Sequence, residues 1–167
     1  PAACVGCGEC IRGCDAKKLT ESRDILPTLN ALRNTDAPVY AMIAPAFINQ
    51  YSEAVIPGKL RAAFKKIGFA GMLEVALFAD ILTLKEALEF DHNIQSEKDY
   101  QLTSCCCPMW IAMLKKVYRE LMPHVPGAVS PMVAAGRTIK QLHPDALTVF
   151  VGPCVAKRCE GMDDPRV

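Results

Sequence analysis

The spacing of apolar positions changes several times between residues 38 and 151, and each change predicts an element. Val39–Ala44 is an unbroken apolar run of strand length, read as a strand buried on both faces. Pro57 opens a helix in which Leu60, Phe64 and Ile67 recur on one face, and Gly68 closes it. Leu73–Ala79 is a second apolar run and a second predicted strand. Ile81, Leu84 and Leu88 mark the apolar face of a helix that fades near Asp91. Glu86 and Glu89 fall opposite them on the wheel, where an ordinary solvated face lies. Gln101–Ser104 is a third, weaker strand, and Trp110, Met113, Leu114, Val117 and Leu121 form a helical stripe ending at Pro123. Ser130 caps a helix begun by Pro131, with Ala135, Ile139 and Leu142 facing inward, and Leu147–Val151 is the fourth strand.

Strands and helices in alternation predict an α/β fold, here a four-stranded parallel sheet flanked by helices with right-handed crossovers. Upstream, residues 21–37 read as a connector in which Asp24 caps a short helix carrying Ile25, Leu29 and Leu32. Residues 1–20 form a separate cysteine-rich segment, and 38–167 the α/β body. Ligands of open α/β sheets bind at the carboxyl ends of the strands. Ala44-Pro45-Ala46, Ala79-Asp80, Cys105–Cys107 and Pro153-Cys154 each stand just past a predicted strand, so these distant segments are expected on one edge of one sheet.

Charge removes several function classes. Lys and Arg number 19 against 18 Asp and Glu, so nothing points to nucleic acid or an anionic membrane surface. Glu74, Asp80 and Lys85 interrupt the best candidate for a membrane span, and no secretory signal opens the chain. A start at Pro1 predicts an N-terminus that is either trimmed or an artificial boundary.

Nine cysteines change the picture most. They sit in three tight groups, poor spacing for stapling loops and good spacing for cluster ligands in a reducing cytoplasm with little oxygen. In CVGCGECIRGC, Cys4, Cys7 and Cys10 recur at the interval that wraps an iron–sulfur cubane, and Gly6 and Gly8 let the backbone curl close to it. A zinc knuckle is the competing reading, though zinc sites normally separate their pairs by a longer spacer. Cys14 either closes that cluster or belongs to a second one. Cys105, Cys106 and Cys107 stand in a row within TSCCCPMW, and adjacent cysteines bridge each other only with strain. Soft thiolates drawn from distant parts of one chain suit iron–sulfur chemistry.

TSCCCPMW at 103–110 and GPCVAKRCE at 152–160 resemble the first and second cluster motifs of the iron-only (FeFe) hydrogenases. IAPAF at 43–47 and VSPM at 129–132 resemble two further segments lining that family's site, and the N-terminal run resembles its accessory-cluster region. The resemblance implies the first lobe of the catalytic domain preceded by a ferredoxin-like half-module. It implies reversible formation of H2 from protons and electrons at an H-cluster, a 4Fe-4S cubane joined to a two-iron subsite carrying CO, CN and a dithiolate. An N-terminal 4Fe-4S cluster would relay electrons from a ferredoxin-like partner, and maturation proteins would install the two-iron subsite.

Residue by residue, the resemblance implies Cys4, Cys7, Cys10 and Cys14 as accessory-cluster ligands, and Cys107 and Cys154 as cubane ligands. Anchoring on Pro108 places the proton relay at Cys106; anchoring on Thr103-Ser104 places relay and ligand at Cys105 and Cys106. Lys157 matches the lysine that holds a cyanide, while Glu160, Glu86 and Glu89 match proton-path carboxylates. Ala44, Pro45, Ala46 and Met132 would line the cofactor. The family's last two cubane ligands come from a third motif that this sequence lacks, so the chain is expected to be a fragment, inactive alone. An electron-transfer protein, a cluster-assembly protein and a sensory hydrogenase are the rival readings.

Overall fold

The computed structural model describes residues 4–164. Residues 1–3 and 165–167, the outer ends of the expected 1–20 and 38–167 segments, lie outside the described residues.

The body is a parallel sheet of three strands, β1 (Val39–Ile43), β2 (Gly71–Glu74) and β3 (Leu147–Val151), in the order β2-β1-β3. The register runs from Tyr40↔Gly71 to Ile43↔Glu74 on one side of β1, and from Val39↔Leu147 to Ile43↔Val151 on the other. As the central strand, β1 is covered on both faces, which is why VYAMI carries no alternation of polar residues. Side chains still alternate between faces. Met42 joins Met132, Val133, Ala135 and Ile139 on one side, while Val39, Ala41 and Ile43 join Leu60, Phe69 and Met72 on the other.

Seven helices surround the sheet among the described residues: α1 (Glu9–Arg12), α2 (Ile25–Asn34), α3 (Pro57–Ile67), α4 (Ala76–Asn93), α5 (Pro108–Lys116), α6 (Pro131–Leu142) and α7 (Val155–Asp163). The helix α3 begins with proline at its first turn and ends on Gly68 at φ 118°, a left-handed position that glycine adopts without a Cβ clash. The cap of α6 is also as expected: Ser130 Oγ accepts from the Val133 amide at 3.4 Å.

Four expectations are corrected. Gln101–Ser104 is not a strand; its backbone makes one lateral bond, Leu102 N to His124 O at 2.7 Å, too little to extend the sheet. The second apolar run splits, because β2 ends at Glu74 and α4 starts at Ala76, so Ala79-Asp80 lies inside a helix. The stripe after Trp110 stops at Lys116, and a separate 3-10 segment, Arg119–His124, accommodates Pro123. Asp24 stands at the N-cap of α2 as expected, but its side chain makes no cap bond: the carboxylate receives Arg158 of α7, with Nε to Oδ2 at 3.0 Å and Nη2 to Oδ1 at 3.2 Å.

A fifth difference concerns faces. Ile81, Leu84 and Leu88 of α4 are 55%, 65% and 63% exposed, whereas Glu86 and Glu89 are only partly exposed. The helix is apolar on both faces: Phe78 packs on the core with Leu82 and the two glutamates following it inward, and a second row of leucine and isoleucine lies outward. Ile67 and Leu142, each at a helix end, are also largely exposed.

Candidate iron–sulfur site

The third cysteine group lies in the loop before α5, and Cys107 occupies the N-cap of that helix. Cys154 likewise occupies the N-cap of α7. The helix α5 packs on α7, and α7 on α6, so the two caps belong to one corner of the fold. The Lys157 ammonium ties that corner together. Its Nζ donates to Cys106 O at 2.9 Å and to Glu160 Oε2 at 2.7 Å. The same Oε2 accepts from the hydroxyl of the buried Ser130 at 2.9 Å. Lys157 and Glu160 are mostly shielded, at 13% and 21% side-chain exposure, which strengthens a pair that solvent would otherwise screen.

The three adjacent thiols occupy three environments. Cys105 is buried, and its Sγ donates to Glu86 Oε1 at 3.1 Å. Burial, and then the bond to and charge of Glu86, push the Cys105 thiol up to about 12, so it carries its proton at neutral pH. Cys106 is exposed, with Sγ 3.5 Å from Ser104 Oγ and not against Glu86. Cys107 is half-buried. One turn beyond Glu86, Glu89 Oε1 accepts from the Gly127 amide at 2.8 Å, while Lys85 Nζ donates to Gly127 O at 3.3 Å. The glutamates therefore hold specific hydrogens and do not form a solvated face.

Ala44 and Ala46 line a cavity of about 320 Å³ past the ends of β1 and β3, with Phe47, Gly152 and Pro153. Pro45 is the exposed residue between them. A Cβ on Gly152 would come within 2.9 Å of Ala44 Cβ and 2.7 Å of the Phe150 ring, so glycine alone fits beside Ala44. Met132 is a core residue at 2% exposure.

In the N-terminal segment Cys4, Cys7 and Cys10 are exposed and Cys14 is half-buried. Gly6 and Gly8 have φ of 74° and 78°, the left-handed curl expected between the cysteines. The segment rests on α7, since a Cβ on Gly6 would lie 3.2 Å from Ala156, and the Lys116 ammonium reaches Cys4 O. The amides of Lys18 and Leu19 lower the Cys14 pKa, as anion-directed donors do. Among the described residues, no three cysteine, histidine or acidic side chains converge closely enough to hold a single metal ion. The donor set fits an iron–sulfur group in kind, with cysteines at and beside the N-caps of α5 and α7 and others beside a glycine curl.

The class is a parallel α/β fold with Cys154 just past the end of β3 and Cys105–Cys107 in the loop before α5. The chain belongs to the family of the iron-only hydrogenase large subunit, C-terminal domain, whose model matches residues 37–166. It is similar to the NADP-reducing hydrogenase subunit HndD of Solidesulfovibrio fructosivorans, 26% identical over 94% of this chain and 30% of that protein. The periplasmic [Fe] hydrogenase large subunit of Nitratidesulfovibrio vulgaris is 30% identical over 78% of this chain and 35% of its own length. The cytosolic iron-sulfur assembly component 3 of Bos taurus is 26% identical over 94% and 38%. The chain thus spans about a third of the length of these relatives. Among the described residues, no helix is long and apolar enough to cross a membrane.

Proposed function

We propose that this chain is the first lobe of an iron-only hydrogenase, forming one wall of the H-cluster and the inner end of its proton route. The observation that carries the reading is the buried Cys105 Sγ donating to Glu86 Oε1 at 3.1 Å. A thiol in an apolar position has no structural need of a carboxylate, and burying the carboxylate is costly unless it is hydrogen-bonded. A protonated thiol facing a carboxylate is a proton-transfer pair.

That contact favours anchoring the motif on Thr103-Ser104, which moves the relay from Cys106 to Cys105 and the ligand from Cys107 to Cys106. Cys106 and Cys154 would then hold the cubane from this lobe, and Cys107 is the additional thiol. When bound, the cluster supplies the redox chemistry of H2. Lys157, fixed by Cys106 O and Glu160, is placed to hold an anionic ligand of the cluster. Ala44, Pro45 and Ala46 contribute small groups that let a bulky cofactor approach the strand ends. Cys4, Cys7 and Cys10, resting on α7 through Gly6, would hold an accessory 4Fe-4S cluster that takes electrons from a ferredoxin-like partner. The exposed, free thiols suit a reducing, oxygen-poor cytoplasm.

The assembly-component relative carries the competing reading, in which the lobe handles iron–sulfur groups without H2 chemistry. Serine substitutions in the matured full-length protein separate the two. Cys105→Ser is expected to keep the CO and CN infrared bands and lose H2 turnover, whereas Cys106→Ser loses the bands. A protein with full iron content and no such bands supports the assembly reading.

A further inference from the structure

Beyond Glu89 the lobe opens into a cleft of about 360 Å³ that none of the roles above uses. Glu89 lines it with Lys98, Asp99, Tyr100, Gln101 and His124. Gln101 Oε1 is buried there, and no group among the described residues donates to it. A buried amide oxygen in that position takes its hydrogen from water, and a polar cleft of this size has room for several.

His124 is held in one state of use. Its Nδ1 lies 3.1 Å from Tyr100 O, and a backbone carbonyl only accepts, so Nδ1 carries the hydrogen and the neutral ring keeps Nε2 as its base. The ring stacks on Tyr100 at 3.8 Å, which fixes its plane. The other ionisable groups facing the cleft are ill-suited to carry protons near neutral pH. Asp99 Oδ2 accepts from the Ser96 hydroxyl and from the amides of Ser96 and Gln95, which hold its carboxyl below the usual range. Lysine and tyrosine side chains as a class exchange protons well above neutrality. On Glu89, Oε1 is taken by the Gly127 amide, leaving the second oxygen to receive a proton.

We propose that this cleft is the proton inlet of the lobe, with His124 exchanging protons with solvent and Gln101 positioning the water between His124 and Glu89. The inference rests on the hydrogenase reading above. In the direction of H2 formation, His124 Nε2 takes a proton from solvent or buffer and becomes imidazolium. It returns that proton to the water held at Gln101, which passes one of its own to Glu89 Oε2. No electrons move and no bond other than to hydrogen changes. H2 oxidation runs the same steps outward.

Two measurements test it. In this chain, ¹⁵N NMR of the three histidine rings reads which nitrogen of the neutral His124 ring carries the hydrogen. Nδ1 is expected to carry it, bonded to Tyr100 O, and the Nε2 signal is expected to move in Gln101→Leu, where the bridging water loses its anchor. A ring with its hydrogen on Nε2, or an Nε2 signal unmoved by Gln101→Leu, overturns the water link. In the matured full-length protein, His124→Gln is expected to slow H2 evolution roughly tenfold or more, with recovery on adding free imidazole and with unchanged CO and CN bands. Gln101→Leu slows it without imidazole rescue. Unchanged rates in both variants, with bands intact, overturn the inlet. Absence of bands from the unsubstituted protein overturns the hydrogenase reading instead, and the NMR result still decides whether His124 Nε2 meets the water held at Gln101.

Discussion

Helices α4 and α6 pack against each other, yet their inward faces are built differently. The α6 helix puts Met132, Val133, Ala135 and Ile139 into the core and is capped by Ser130 as its sequence dictates. The α4 helix puts Glu86 and Glu89 inward and leaves Leu77, Ile81, Leu84 and Leu88 more than half exposed. Hydrophobic burial places α6. Specific hydrogen bonds, from the Cys105 thiol and the Gly127 amide, hold the two glutamates on the inward face of α4. Packing settles one helix, and polar partners distant in sequence settle which residues the other presents.

The comparison breaks most severely at α6. Ile139→Ala is expected to lower unfolding free energy by about 2–4 kcal/mol in denaturant melts, the cost of a core cavity. Gly152→Ala, where the new Cβ would meet Phe150 and Ala44, costs about 1–3 kcal/mol and narrows the cavity past the strand ends. On α4 the effect moves from stability to titration. Because the folded Cys105 thiol sits at about 12, above its ordinary 9.0, the folded state binds the proton more tightly than the unfolded chain. Its contribution is complete below pH 9.0 and is lost as pH rises toward about 12. Stability measured across that range is therefore expected to fall, and Cys105→Ser to flatten the decline. Glu86→Gln removes a charge that raises the thiol, so alkylation of Cys105 sets in at lower pH. The smallest change is on the outer face: Leu84→Gln with Leu88→Gln shifts unfolding by less than about 0.5 kcal/mol each.

The same contrast explains what the sequence revealed. The strand β1 was legible because its short apolar run suits the centre of a parallel sheet, β3 because LTVFV is rich in β-branched and aromatic residues, and α6 because its cap, proline and periodicity agree. Gln101–Ser104 misled because strand-like composition does not supply a neighbouring edge to pair with; Leu102 finds only the His124 carbonyl. The inward face of α4 was illegible from periodicity, since the partners of Glu86 and Glu89 lie 19 and 38 residues away. The cysteine groups pointed to an iron–sulfur family by type and spacing. Which of three adjacent thiols meets the carboxylate is a tertiary fact, as is the cleft at Gln101 and His124.

The central claim is that Cys105 is a protonated thiol bonded to Glu86, and the S–H stretch in the infrared reads it directly. The account predicts one S–H band displaced to low frequency, relieved in Glu86→Ala and absent in Cys105→Ser. A spectrum without a displaced band, or one whose displaced band disappears in Cys106→Ser instead, would contradict it.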